Sequence, residues 1–74
     1  MAIVRLLKKQ QLERDTSHTE VECTYSVVGT MEGSFLQVDT YGSSSRQEHG
    51  KKSQSIRFAP EAIKQLKKIL EIEF

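Results

Sequence analysis

The stretch Ser34-Phe35-Leu36-Gln37-Val38-Asp39-Thr40-Tyr41 decides the fold. Its side chains change character at every second position. Leu36 and Val38 fall on one side of an extended chain, and Phe35, Gln37, Asp39 and Tyr41 on the other. A period of two is the signature of a strand with one face packed and one face open. Just upstream, Val21-Glu22-Cys23-Thr24-Tyr25-Ser26-Val27 alternates in the same way. Val21, Cys23, Tyr25 and Val27 share a face, opposite Glu22, Thr24 and Ser26. Between the two runs stands Gly29-Thr30-Met31-Glu32-Gly33, a glycine-bounded turn, so the pair reads as a hairpin with a short loop.

Downstream, Gly42 to Gly50 is a polar, glycine-bounded loop. A third strand is expected from Lys51 to Phe58, with Gln54, Ile56 and Phe58 alternating with Ser53, Ser55 and Arg57. Ile56 and Phe58 are expected in the core beneath a helix. That helix is the clearest element of the chain. Ala62, Ile63, Leu66, Ile69 and Leu70 form an apolar stripe at helical spacing, and Lys64, Gln65, Lys67, Lys68 and Glu71 take the other side. Pro60 suits the first turn, where its missing N–H has no partner to lose. Glu61 suits the positive end of the helix dipole. Ala59 offers no side-chain cap. The spacing predicts a helix over 60–72.

The first residues read two ways. Val4 and Leu6 fit a strand, while Ile3, Leu7 and Lys8-Lys9-Gln10-Gln11 fit a short helix; the strand is preferred. Residues 1–18 are thus an extra strand or an arm, and Glu13 to Thr19 is a loop. The expectation is a single domain over 1–74, of α+β class, with an antiparallel three- to four-stranded curved sheet followed by one C-terminal helix.

Composition narrows the function. A chain of 74 residues leaves about 40% of its unfolded surface exposed after folding, so its core is marginal. Chains of this size usually carry a staple or a partner. One cysteine, Cys23, allows no internal disulfide, and His18 and His49 show no metal-ligand spacing. Dimerisation follows by elimination. The lone cysteine favours a reducing compartment, and the apolar run at Ile3–Leu7 is too short for a signal peptide or a membrane span. The expected location is the cytoplasm.

No nucleophile elbow, phosphate loop, H-E-x-x-H or paired-cysteine motif is present. Cys23 reads as a small buried hydrophobe, and Asp39 with Glu22 as a solvated pair on an open sheet face. Neither enzymatic activity nor a cofactor is expected.

Binding fits better. Phe35 and Tyr41 are expected on the face away from the helix, beside Lys51, Ser53, Ser55 and Arg57, with Arg46 and Lys52 in or next to the loop. Gly42 to Arg57 holds four basic residues and one acidic, inside a chain of net charge +1. Aromatic rings among basic and hydroxyl side chains make a platform for single strands, where bases stack and cations neutralise phosphates. A solvated loop and a half-buried Phe35 account for the same residues equally well.

Two stretches carry a resemblance. They are Phe35-Leu36-Gln37-Val38-Asp39-Thr40-Tyr41-Gly42-Ser43-Ser44-Ser45-Arg46-Gln47 and Gly50-Lys51-Lys52-Ser53-Gln54-Ser55-Ile56-Arg57-Phe58. Together they resemble short bacterial and phage-type proteins, some of which carry the name methionyl-tRNA formyltransferase. Formyl transfer needs a folate site and a catalytic constellation, and the sequence shows neither. The order of features over residues 25 to 72 also resembles the single-stranded-DNA-binding coactivator family called positive cofactor four. The matching features are Gly33, the apolar–acidic strand, the loop to His49, Gly50-Lys51-Lys52, Ser55-Ile56, Pro60-Glu61 and the helix. The resemblance implies a homodimer joined by helices and strand edges, with single strands crossing the sheet. It implies phosphate contacts at Lys51, Lys52 and Arg57, and stacking at Phe35 and Tyr41. DNA is placed ahead of RNA. The chain is less basic than that family and its N-terminal segment has no counterpart there. The rival expectation is a small protein-interaction or regulatory module, engaged through an exposed strand edge or the apolar stripe of the helix.

Overall fold

The computed structural model describes residues 1–42 and 52–74, without the side chain of Lys52. Among these the chain forms β1 (Ala2–Val4), β2 (Cys23–Thr30), β3 (Gly33–Tyr41), β4 (Lys52–Phe58) and α1 (Pro60–Glu73). The class is α+β, as expected. The four strands lie in the order β1-β4-β3-β2.

The sheet is mixed, which corrects the antiparallel expectation. β2 pairs antiparallel with β3, and β3 with β4, but β1 runs parallel to β4 in the register Ala2↔Ile56, Ile3↔Arg57 and Val4↔Phe58. The reason is the path of the chain. After β1 the segment from Arg5 onward runs alongside α1 and then returns to the far edge of the sheet. β1 therefore does not meet β4 through a hairpin, and nothing obliges it to run antiparallel. The backbone N–H of Ala59 donates to Val4 O at 2.9 Å, extending this contact up to the helix.

The β2–β3 hairpin closes over Met31 and Glu32, with Thr30 paired to Gly33. Two-residue loops ordinarily need a positive φ inside the loop. Here neither loop residue has one, and the positive φ, +128°, falls on Gly33 instead. The Thr30 hydroxyl secures the turn by donating to Gly33 O at 2.9 Å and accepting from Glu32 N at 3.1 Å.

α1 packs against β3 and β4. Ala59 and Ala62 are fully buried, whereas the helix is exposed from Lys67 onward. Full burial of Ala59 accounts for a cap position without a capping side chain, since a longer residue would need room that the packing does not leave. The N-terminal segment straps the helix. Leu7 N–H donates to Gln65 Oε1 at 2.9 Å, and Gln65 Nε2 donates back to Leu7 O at 3.1 Å. Lys9 and Glu73 lie 3.6 Å apart further along.

The two faces of the sheet are not filled as the alternation suggested. Cross-strand register puts Tyr25, Val38, Ile56 and Ala2 in one row and Val27, Leu36, Phe58 and Val4 in the next, all on one face. This apolar face is largely open, with Tyr25 75%, Val27 69% and Ile56 38% exposed. Ile56 is therefore not in a core beneath the helix. In β3 the buried positions are Phe35, Gln37 and Asp39, on the opposite face.

Candidate nucleic-acid interface

The opposite face is built from Thr24, Ser26 and Val28 of β2, Phe35, Gln37, Asp39 and Tyr41 of β3, Ser55 and Arg57 of β4, and Ile3 of β1. Direct pairing of Gln37 with Arg57 and of Asp39 with Ser55 sets polar groups opposite polar groups. Arg57 Nε donates to Gln37 Oε1 at 3.0 Å, and the same oxygen accepts from the Arg57 terminal nitrogen. The amide orientation this imposes turns Gln37 Nε2 toward Asp39, where it donates to both carboxylate oxygens at 3.1 and 3.2 Å. Ser55 Oγ donates to Asp39 Oδ1. The result is a chain of charge-assisted bonds from guanidinium through amide to carboxylate, which fixes every rotamer in it.

Asp39 is only 2% exposed, which corrects its reading as half of a solvated carboxylate pair. Burying a carboxylate is costly unless it is bonded, and here three donor contacts reach it. No buried side-chain nitrogen or oxygen among the described residues lacks a partner. The readable signal was the pairing of Gln37 and Asp39 with Arg57 and Ser55 across strands, a match of polar groups that single-strand periodicity does not reveal.

Phe35 shares a face with Gln37, Asp39 and Tyr41 but is 4% exposed, so its ring is not open for stacking. The Arg5 guanidinium sits 5.9 Å from the ring centroid. Arg5 in turn reaches Glu32 at 3.3 Å and Glu61 at 3.6 Å, tying the hairpin turn and the first turn of α1 together above the ring. The hydrogen bond to Glu32 and the two nearby carboxylates hold the proton of Arg5 more firmly than usual, so it is a fixed cation. Sequence reading missed Arg5, which lies 30 positions from the ring it covers.

Tyr41 is half-buried, with its phenol 3.0 Å from Thr24 Oγ1. A bulge follows Thr40: Gln54 pairs with Thr40, but Tyr41 pairs with Lys52. Ser53 is the extra residue, exposed and out of step with Ser55 and Arg57. Ser55 and Arg57 are half-buried. A shallow depression runs over them, lined by Met1, Ala2, Ile3, Gln37, Ser55 and Arg57, and a second one beside it takes in Ser53 and Gln54. Of the remaining expected contacts, Arg46 and Lys51 lie outside the described residues, as does His49.

Cys23 sits on the apolar face as expected, but it is exposed rather than buried. His18 is a surface residue whose Nδ1 lies 2.7 Å from Thr16 O. Among the described residues no three His, Cys, Asp or Glu side chains group as a metal site, and no helix is long and apolar enough to cross a membrane. No protein-family model, curated protein or solved structure matches the chain.

Proposed function

We propose that the chain binds single-stranded nucleic acid, DNA in preference to RNA, across the polar face of the sheet, in the manner of the positive cofactor four family that residues 25 to 72 resemble. The observation that supports this reading most is the groove along β4. Gln37, Ser55 and Arg57 line it, held from beneath by the buried Asp39, and the exposed Ser53 lines the depression beside it. A track of hydroxyl, amide and guanidinium groups, held in place before a ligand arrives, suits a phosphate backbone, because little side-chain freedom remains to be lost. Tyr41 is the stacking group of this reading, and Phe35 supports the sheet from inside.

Arg57 orders Gln37 and presents positive charge at the groove. The test is fluorescence anisotropy of labelled single-stranded DNA, single-stranded RNA and duplex at low and high salt. Expected is single-strand binding that collapses with salt and is weaker for duplex. Lys51→Glu combined with Arg57→Glu is expected to abolish it. Unchanged binding in that variant, with the circular dichroism of the wild type, overturns the proposal.

The open apolar face favours a second reading, a protein-interaction module. Capture of a protein partner that survives nuclease treatment, without any nucleic-acid affinity, would put it first.

A further inference from the structure

We propose that the depression over Ser55 and Arg57 is a base-reading subsite, which takes guanine or cytosine in preference to adenine, thymine or uracil. The inference rests on the single-strand reading above and refines it: at this point of the groove the contact is with the edge of a base and not with a phosphate.

The hydrogen-bond inventory of the network carries it. An arginine holds five N–H groups in a fixed fork. Arg57 spends one edge of that fork on Gln37, where Nε and one terminal nitrogen both donate to Oε1. The other edge, with its two parallel N–H groups, has no bond to any described residue, and Arg57 lines the depression. Ser55 gives its single proton to Asp39 Oδ1, so its oxygen offers the depression lone pairs alone. Gln37 offers neither, because its Oε1 is taken by Arg57 and its Nε2 donates to the Asp39 carboxylate. Along β4 the depression thus presents two donors and then, two residues away on the same face, an acceptor.

A phosphate fits that order badly. Its oxygens only accept, so at Ser55 it would set lone pairs against lone pairs. It would also stand beside the Asp39 carboxylate that Ser55 bonds, and like charges side by side are unfavourable. Next to Arg57 the register sets Ile3, which is 58% exposed. An aliphatic wall suits the face of a ring and not a charge. The depression holds about 220 Å³, less than the roughly 300–1,000 Å³ of pockets for drug-sized ligands, so one small group fills it.

The bases differ in what they offer to two donors and an acceptor. Guanine has two adjacent acceptors, N7 and O6, followed by the N1–H donor. Cytosine has O2 and N3, followed by its amino group. Adenine, thymine and uracil alternate donors with acceptors, so one group of each meets its own kind. In a splayed single strand all of these edges are free to be read.

The test is fluorescence anisotropy of the full chain with labelled oligothymidylates that carry one central substitution. A strand with one guanine or cytosine is expected to bind about tenfold tighter than one with thymine or adenine there. 7-Deazaguanine, which lacks the N7 acceptor, is expected to lose most of that gain. Arg57→Lys keeps the charge but not the fork, and is expected to bring the guanine, cytosine and thymine strands to one affinity. Equal affinity of the wild type for every substituted strand overturns the inference and leaves single-strand binding standing. So does a guanine preference that 7-deazaguanine keeps in full, or one that survives Arg57→Lys. Absence of binding to any strand overturns both the inference and the reading on which it rests. Should Arg57→Lys lose the circular dichroism of the wild type, the comparison of guanine with 7-deazaguanine on the wild type decides.

Discussion

Two residues show how closely local geometry is specified. Gly33 has φ +128°, and a Cβ built there comes within 3.2 Å of Pro60 Cγ. Gly33→Ala therefore meets both backbone strain and the first turn of α1. A loss of about 1–3 kcal/mol is expected, measured by urea denaturation; a stability equal to the wild type would show that the turn relaxes freely. Asp39 is the second case. Asp39→Asn keeps the shape but turns one acceptor into a donor, which faces the Gln37 Nε2 donor in either orientation. A loss of about 1–3 kcal/mol is expected for the unsatisfied group. A variant that melts with the wild type would mean that the network does not hold the carboxylate as described.

At the scale of elements, Gln65 ties the N-terminal strap to α1, between the ion pairs Arg5–Glu61 and Lys9–Glu73. Gln65 satisfies both the N–H and the C=O of Leu7. Gln65→Ala leaves them to solvent or unpaired, with an expected cost of about 1–2 kcal/mol. The Leu7 amide is expected to lose its protection from hydrogen exchange, while amides of β3 keep theirs; retained protection at Leu7 would refute the tether. The same strap explains why Phe35 is buried. Its cover comes from Arg5, which ion pairs to the β2–β3 turn and to α1 hold in place. Phe35→Ala is expected to cost about 3–5 kcal/mol, enough to unfold a domain with so small a core, as followed by circular dichroism. A variant that stays folded and loses only nucleic-acid binding would instead return Phe35 to the role of a surface stacking group.

At the scale of the molecule, charge limits what the proposed groove can do. The net charge is +1, and the cations of the proposed contact set are Arg46, Lys51, Lys52 and Arg57. Four phosphate contacts on a single strand give a log–log salt slope near −3 per protomer at most. A titration across salt concentrations is expected to find a slope no steeper than this; a much steeper one would point to a second basic surface.

The hairpin, β4 and α1 were legible from period and punctuation, because each is specified by neighbours within a few residues. Alternation in Ser34–Tyr41 sorted the side chains of β3 onto two faces correctly, and Pro60 marked the start of the helix. What alternation could not say was which face would be covered. That depended on Arg5, 30 positions from Phe35, and on the register that sets Gln37 against Arg57 and Asp39 against Ser55. The parallel pairing of β1 depended likewise on a long return path that no local pattern records. Local sequence determined the elements of this protein, because backbone preference and side-chain period act over a few residues. Tertiary structure alone decided that its polar face is internally bonded and its apolar face left open, because burial is a property of what the rest of the chain, or another chain, lays on top.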